Sequence, residues 1–481
     1  MPLPAPLNLK EWFKTSIEDY LIIGPTSVSP QPVHVLNGFF HTALSGRRSA
    51  RTAIDLVATS AGNWARSADH VRERGSVNLP ASDHDLLRVR RATAGLISTD
   101  RAVFSAKASF QLAHLGLVTS DTTHFRLGGL ASRLALESGR AGDELGSLVE
   151  RLSHPQPNPQ WAVQSVLADP GVTDGWQVKA PPALDWWGVD PRCADLAAEL
   201  GGVLRRAIAL AAGSADSLLG LQTLGIAATW CGLIAFAQVP SLLADQAMLG
   251  LLTEAGTPGA LPTVRDSSAH AFDRVQNTFY SWLADRLTPE VADRFGGRPP
   301  TTSADVHEFL RLCEPYALSG GARNSQQRLP EIYDLWAKDN DAFRAMGLAL
   351  QDSLQQSMGD KPRKWFSAVG RHCGFVGPRR GYPARFRVEV ALAPALVLAG
   401  MSDDDGPSVR FADWQERLAQ RFGVHFGPNA VARGMVPRAS EEELDVNAAN
   451  LAQLLSSLGL ARRYSDGVTE VLNPTYLWRM S

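Results

Sequence analysis

The sequence predicts a mainly α-helical, multidomain chain with short β-hairpins near both ends. Three observations carry that reading. Apolar residues recur at the three- and four-residue spacing that lines one helix face. Gly- and Pro-rich clusters at residues 153–159, 257–259 and 296–300 cut this pattern into helix-sized units. A short phrase also occurs twice: an apolar helix edge, Leu-Gly-Leu, a polar turn and an alternating strand.

The first copy reads Phe110, Leu112, Leu115, Gly116, Leu117, Val118, a polar turn, then Phe125, Arg126 and Leu127. The second reads Leu454, Leu455, Leu458, Gly459, Leu460, Ala461, then Arg462, Arg463, Tyr464, the turn Ser465-Asp466-Gly467, and a strand from Val468 to Leu472. Leucines three apart give a helix an apolar edge, and glycine supplies the left-handed residue that ends it. Alternating residues around a polar turn suit a hairpin. Both copies resemble the third helix and wing of winged-helix domains, so the resemblance implies winged helices at both ends.

Taken in order, an N-terminal domain is expected over 1–150. Residues 50–71 read as one or two helices through Ile54, Leu56, Val57, Ala61 and Trp64, and Ser82 or Asp83 can cap the next. Its arginines, led by Arg47, Arg48 and Arg51, are interspersed with acids. Pro155, Pro157 and Pro159 then forbid a helix and favour an extended linker. A central helical scaffold is expected over 160–345. Within it no residue from Ser217 to Ala244 is charged, and residues 218–239 are long enough to cross a bilayer. Gln222, Thr223, Thr229 and Gln238 interrupt that stretch and favour a buried core helix, so no membrane partner is expected. Thr302 or Ser303 caps a further helix, and residues 331–357 read as one long amphipathic helix.

A basic helix–hairpin region follows over 346–400, with a weaker echo of the phrase: a helix closed by Gly374, a turn at 377–382, and alternation from Phe386 to Val390. The last domain, 405–481, follows a solvated linker at Asp403, Asp404 and Asp405. It contains a helix ended by Gly423, a helix begun by Glu441, and a reading helix from Asn447.

The chain has 481 residues, 44 % hydrophobic and 20 % charged, which supports a sizeable core. Cys193, Cys231, Cys313 and Cys373 are too widely spaced for a metal-ligand pair, and they read as reduced thiols of a cytoplasmic protein. The formal net charge is -2, so any nucleic-acid surface must arise from local asymmetry. The asymmetry is the acid-free span holding Lys361, Arg363, Lys364, Arg371, Arg379, Arg380, Arg385 and Arg387. Trp365, Phe366, Phe375, Tyr382 and Phe386 lie among them, able to pack underneath or to stack on bases. If the echo is a wing, Arg379 and Arg380 sit at its tip, where arginine meets phosphate. Arg462 and Arg463 occupy the C-terminal wing.

No phosphate-binding loop, nucleophile elbow, metalloprotease helix, dinucleotide fingerprint or paired C-x-x-C occurs, and no catalytic residue, metal or cofactor is expected. The expectation is a non-catalytic subunit that binds or bridges duplex DNA within a larger assembly of genome-maintenance or anti-phage type, alongside partners such as an NTPase or nuclease. Two alternatives stand beside it: a purely protein-binding subunit that docks through its winged helices, and a transcription regulator whose centre senses a small molecule.

Overall fold

A computed structural model of the chain describes residues 29–45, 125–137, 141–153, 177–178, 190–214, 217–256, 260–311, 328–357, 361–378, 383–428 and 439–477. Helix accounts for 71 % of them and strand for 8 %, so the mainly α class holds.

Helix α1 (Pro32–Ala43) runs into β1 (Leu44–Ser45). Val35, Leu36, Phe39 and Phe40 of α1 are buried and pack on α2 (Phe125–Leu136). Residues 125–127, expected as a wing strand, thus open a helix instead. Leu127, Leu130, Ala131 and Leu134 repeat at helical spacing and are all buried, and burial along one stripe decides the local form. The Leu115-Gly116-Leu117 phrase itself lies outside the described residues, as do Arg47, Arg48 and Arg51. Helix α3 (Ala141–Ser153) comes next, and β2 (Gln177–Val178) pairs antiparallel with β1.

Helix α4 (Pro191–Gly213) is capped by the Asp190 side chain. Helix α5 (Ser217–Leu243) is the long apolar segment, and its most apolar window is 94 % buried. Its two threonine hydroxyls are satisfied inside the helix: Thr223 donates to Leu219 O and Thr229 to Gly225 O. A helix apolar on every side belongs at the centre of a large core. β3 (Leu251–Leu252) precedes α6 (Pro262–Arg294) and α7 (Ser303–Arg311). Asp305 accepts the backbone N–H groups of Thr301 and Thr302, and those bonds hold its carboxyl below the usual range.

The single helix expected over 331–357 is two, α8 (Leu329–Trp336) and α9 (Ala342–Ser357). The break falls on Lys338, Asp339, Asn340 and Asp341. Asn340 donates to Trp336 O, while Asp341 accepts from Arg344 N and so starts the second helix. Short polar side chains that bond their own backbone compete with continued helix. Helix α10 (Lys361–Cys373) ends at Gly374, whose φ is +83°.

β4 (Val376–Gly377) pairs antiparallel with β5 (Arg385–Phe386). The alternation expected to Val390 stops early, because Val390–Leu392 forms a 3₁₀ turn leading into α11 (Ala393–Gly400). Glu254 donates its N–H to Phe386 O, and Val388 N donates to Glu254 O, which joins this hairpin to the β3 segment. β6 (Ser408–Arg410), α12 (Phe411–Phe422) and β7 (Val424–His425) follow, and β7 lies parallel to β3. The helix expected to begin at Glu441 and the one expected from Asn447 are a single helix, α13 (Glu441–Ser457). No Gly or Pro interrupts it, and Leu444, Asn447, Leu451 and Leu455 share its buried face. β8 (Ala461–Arg463) and β9 (Thr469–Leu472) form the C-terminal hairpin, with β6 on the other side of β9 in the order β6-β9-β8. The short α14 (Pro474–Leu477) ends the described chain.

A narrow ribbon therefore crosses the molecule: β4, β5, the 251–254 segment and β7. Two fully buried amides hold its far end. Gln238 of α5 accepts from Leu249 N at 2.7 Å and donates to Leu249 O and Phe422 O, each at 2.9 Å. Asn447 of α13 accepts from Ala255 N at 2.7 Å and donates to Thr253 O and Phe426 O, each at 2.9 Å. One contiguous cluster of buried side chains extends from Val35 to Val471, through parts of all the spans read as domains.

Gly423 and Gly459 both adopt φ +70°. A methyl group on Gly423 would collide with Leu249 O and crowd Gln238, whereas nothing lies within 4 Å of one on Gly459. Gly459→Ala should therefore cost only the left-handed penalty of ~1–2 kcal/mol. Gly423→Ala should add a backbone clash and cost more, ~3 kcal/mol or above, in chemical denaturation.

Candidate functional site

The acid-free span is distributed by α10 and the β4–β5 hairpin. Apolar positions of α10 face α5, so Trp365, Phe366 and Val369 are buried. Phe366 lies 5.0 Å from Phe236 and 5.7 Å from Phe272, and Phe375 lies 5.0 Å from Phe386, centroid to centroid. Of the two roles open to these rings, they take the first and pack beneath the cations as core. Tyr382 lies outside the described residues.

The cations meet different fates. Arg385 is fully buried and its Nε donates to Glu254 Oε2 at 2.7 Å, with both side chains 1 % exposed. It is enclosed in the ribbon rather than offered to a phosphate. Arg363 pairs with Asp273 at 2.6 Å and lies over the Phe272 ring. Arg387 is half-buried and donates to Gly256 O at 3.4 Å. Arg371 is half-buried and Lys364 exposed, and Lys361 opens α10. Arg379 and Arg380 lie outside the described residues. The span has no acid of its own, but α6 and the 254 segment supply Asp273 and Glu254.

Asp403 and Asp405 are likewise engaged rather than a free linker. Asp403 pairs with Arg206 at 2.9 Å and with Arg205 at 3.1 Å, and Asp405 pairs with Arg417 at 2.6 Å. Among the described residues, no group of three or more His, Cys, Asp and Glu side chains is placed to hold a metal ion. Desolvation pushes the thiols of Cys193 and Cys373 up to about 12 and raises that of Cys231. All three stay protonated at neutral pH and so are poor nucleophiles.

An open surface is formed by α13, which the amide of Asn447 fixes against the ribbon. Glu443 strengthens the placement by accepting the N–H groups of Thr263 and Val264 at the start of α6. Along its outer side α13 exposes Glu441, Glu442, Asp445, Val446 and Gln453. No Lys or Arg occurs between residues 439 and 461. Asn450, Gln453 and Ser457 then line a groove of about 910 Å³ together with Arg387, Glu389 and Val390. An apolar pocket of about 280 Å³ adjoins it, sharing Gln222, Val390 and Ala391. Val390, Leu219 and Leu458 there are 58 %, 41 % and 37 % exposed. Sequence reasoning missed this surface. Its only sequence signal is the apolar Leu219, Val390 and Leu458, which lie far apart in the chain. On the C-terminal hairpin, Arg462 and Arg463 are exposed. Arg462 stands directly opposite Glu470 of β9, which also faces Arg410 of β6.

No protein-family model, curated protein or solved structure matches this chain.

The buried pair separates structural from surface cations. Arg385→Ala would take away the buried cation that faces the Glu254 carboxylate and should cost ~3–5 kcal/mol in chemical denaturation. The same substitution of exposed Lys364 should change stability by no more than ~0.5 kcal/mol.

Proposed function

We propose that the C-terminal unit is a winged helix used to dock another protein, and that the chain is a non-enzymatic subunit of a larger assembly. The succession α11, β6, α12, β7, α13, β8, β9, in which β6, β9 and β8 form one three-stranded sheet while β7 pairs with β3 outside it, supports the winged-helix reading. In that arrangement α13 takes the place of the reading helix. A helix that enters a DNA groove must approach phosphates, and cations supply most of that affinity. The single observation that carries the docking reading is the character of α13: Glu441, Glu442 and Asp445 are exposed on it and no cation is present. Beside the acids lie Val446 and the exposed apolar groups of the adjoining groove. Acids at one end and aliphatic side chains at the other suit a partner helix that is basic at one end and apolar at the other.

A second reading, contact with duplex DNA through the C-terminal hairpin, draws on Arg462 and Arg463, which project from an edge strand. Fluorescence anisotropy with duplex DNA at two salt concentrations separates the two. The docking reading expects binding no tighter than the non-specific range of ~10⁻⁴–10⁻⁶ M, little altered by Arg462→Glu with Arg463→Glu. It also expects Val446→Arg with Gln453→Arg to abolish co-purification of a partner from the native host at unchanged melting temperature. Tighter, salt-sensitive duplex binding removed by the arginine substitutions would overturn it.

A further inference from the structure

A small polar cavity lies where the helical core meets the C-terminal unit. Its volume is about 190 Å³, and Glu144 of α3, Arg205 and Arg206 of α4, Asp403, Thr475 and Tyr476 line it. Arg206 is held at two of its three nitrogens: its side chain is 9 % exposed, Nε donates to Leu398 O at 2.9 Å, and Nη1 donates to Asp403 Oδ1 at 2.9 Å. The other oxygen of Asp403 takes Arg205 Nη2 at 3.1 Å.

These bonds leave three buried polar atoms without a hydrogen-bond partner: Arg206 Nη2, Arg205 Nε and Glu144 Oε2. Two are donors on guanidinium groups and one is a carboxylate acceptor. A buried polar atom left unmatched costs about 1–3 kcal/mol, more when charged, so a cavity that gathers three calls for an occupant. Two further polar groups of the lining are already matched. Asp405 is taken by Arg417 and the Ser402 N–H, and Asn473 Oδ1 by the N–H and hydroxyl of Thr475.

Charge selects the ligand class. Arg205 and Arg206, with the Arg417 that pairs with Asp405, offset Glu144, Asp403 and Asp405, so the set is neutral and does not favour a ligand of one sign. A molecule presenting a carboxylate to the arginines and an ammonium to Glu144 satisfies all three atoms without adding net charge. We propose that this cavity binds a free α-amino acid and that the bound ligand clamps α3 and α4 to the C-terminal unit. The cavity is smaller than drug-sized sites of ~300–1,000 Å³, which suits a molecule of that class. The inference is independent of the docking surface, which lies elsewhere on the chain.

Thermal shift and calorimetry on the full chain test it, using the proteinogenic amino acids singly at up to ~10 mM, with acetate and methylamine as single-charge controls. One amino acid, or a chemically related few, should raise the melting temperature with concentration, and neither control should. Glu144→Gln removes the anionic acceptor from a partly exposed position and should fold normally. It should weaken binding at least tenfold, about 1.4 kcal/mol. Arg206→Lys, which keeps the charge but loses the planar fork, should weaken it similarly. The proposal is overturned by any of three results: no shift or heat with any amino acid, acetate binding as tightly as the amino acids, or Glu144→Gln binding unchanged.

Discussion

The two buried amides, Gln238 and Asn447, are the constraint on which the rest of the fold depends. A strand pair of two residues, such as β3 with β7, cannot hold itself together, and the backbone around it is irregular and fully enclosed. Enclosed backbone groups must find partners or cost about as much as a lost hydrogen bond each. One primary amide offers two donors and an acceptor, so each side chain satisfies three backbone groups. Gln238 ties α5 to the 249 segment and to the end of α12. Asn447 ties α13 to the 253–255 segment and to Phe426. The outward face of α13 and its groove are placed by that second set of bonds.

Charge compensation works in three dimensions, and that is why linear charge was a poor guide. The span from Lys361 to Arg387 has no acid, yet Arg385 and Arg363 receive Glu254 and Asp273 from elements roughly a hundred residues away in sequence. The run of aspartates at 403–405 was expected as a solvated linker for the complementary reason: nothing nearby in sequence indicates that Arg205, Arg206 and Arg417 converge on it. Both cases set an electrostatic pair against a local pattern, and the pair decides the geometry.

Local chemistry was readable where local chemistry rules. Helix stops at Gly374, Gly423 and Gly459 each use a left-handed residue, and the C-terminal hairpin turns at Gly467 with φ +86°. The buried character of α5 was legible from its embedded Gln and Thr residues. Elsewhere tertiary contact prevailed. Residues 125–127 alternate well enough for a strand, but α1 offers a surface that a helical stripe covers better. The outer strand β6 was invisible because three residues carry no periodicity, and only pairing with β9 defines it. The groove beside α13 had no local sequence signature, being assembled from α5, the 3₁₀ turn and α13, whose contributing residues lie far apart in the chain.

Hydrogen–deuterium exchange of Gln238→Leu against the unchanged chain tests the central claim most directly. Leucine keeps the bulk of the glutamine while removing its donors and acceptor. If the two amides hold one seam, uptake should rise in the 249–255 segment and also across the ribbon in 422–426 and in α13, while α1 and α2 remain protected. A rise confined to the peptide carrying Leu249, with α13 as protected as before, would contradict the account.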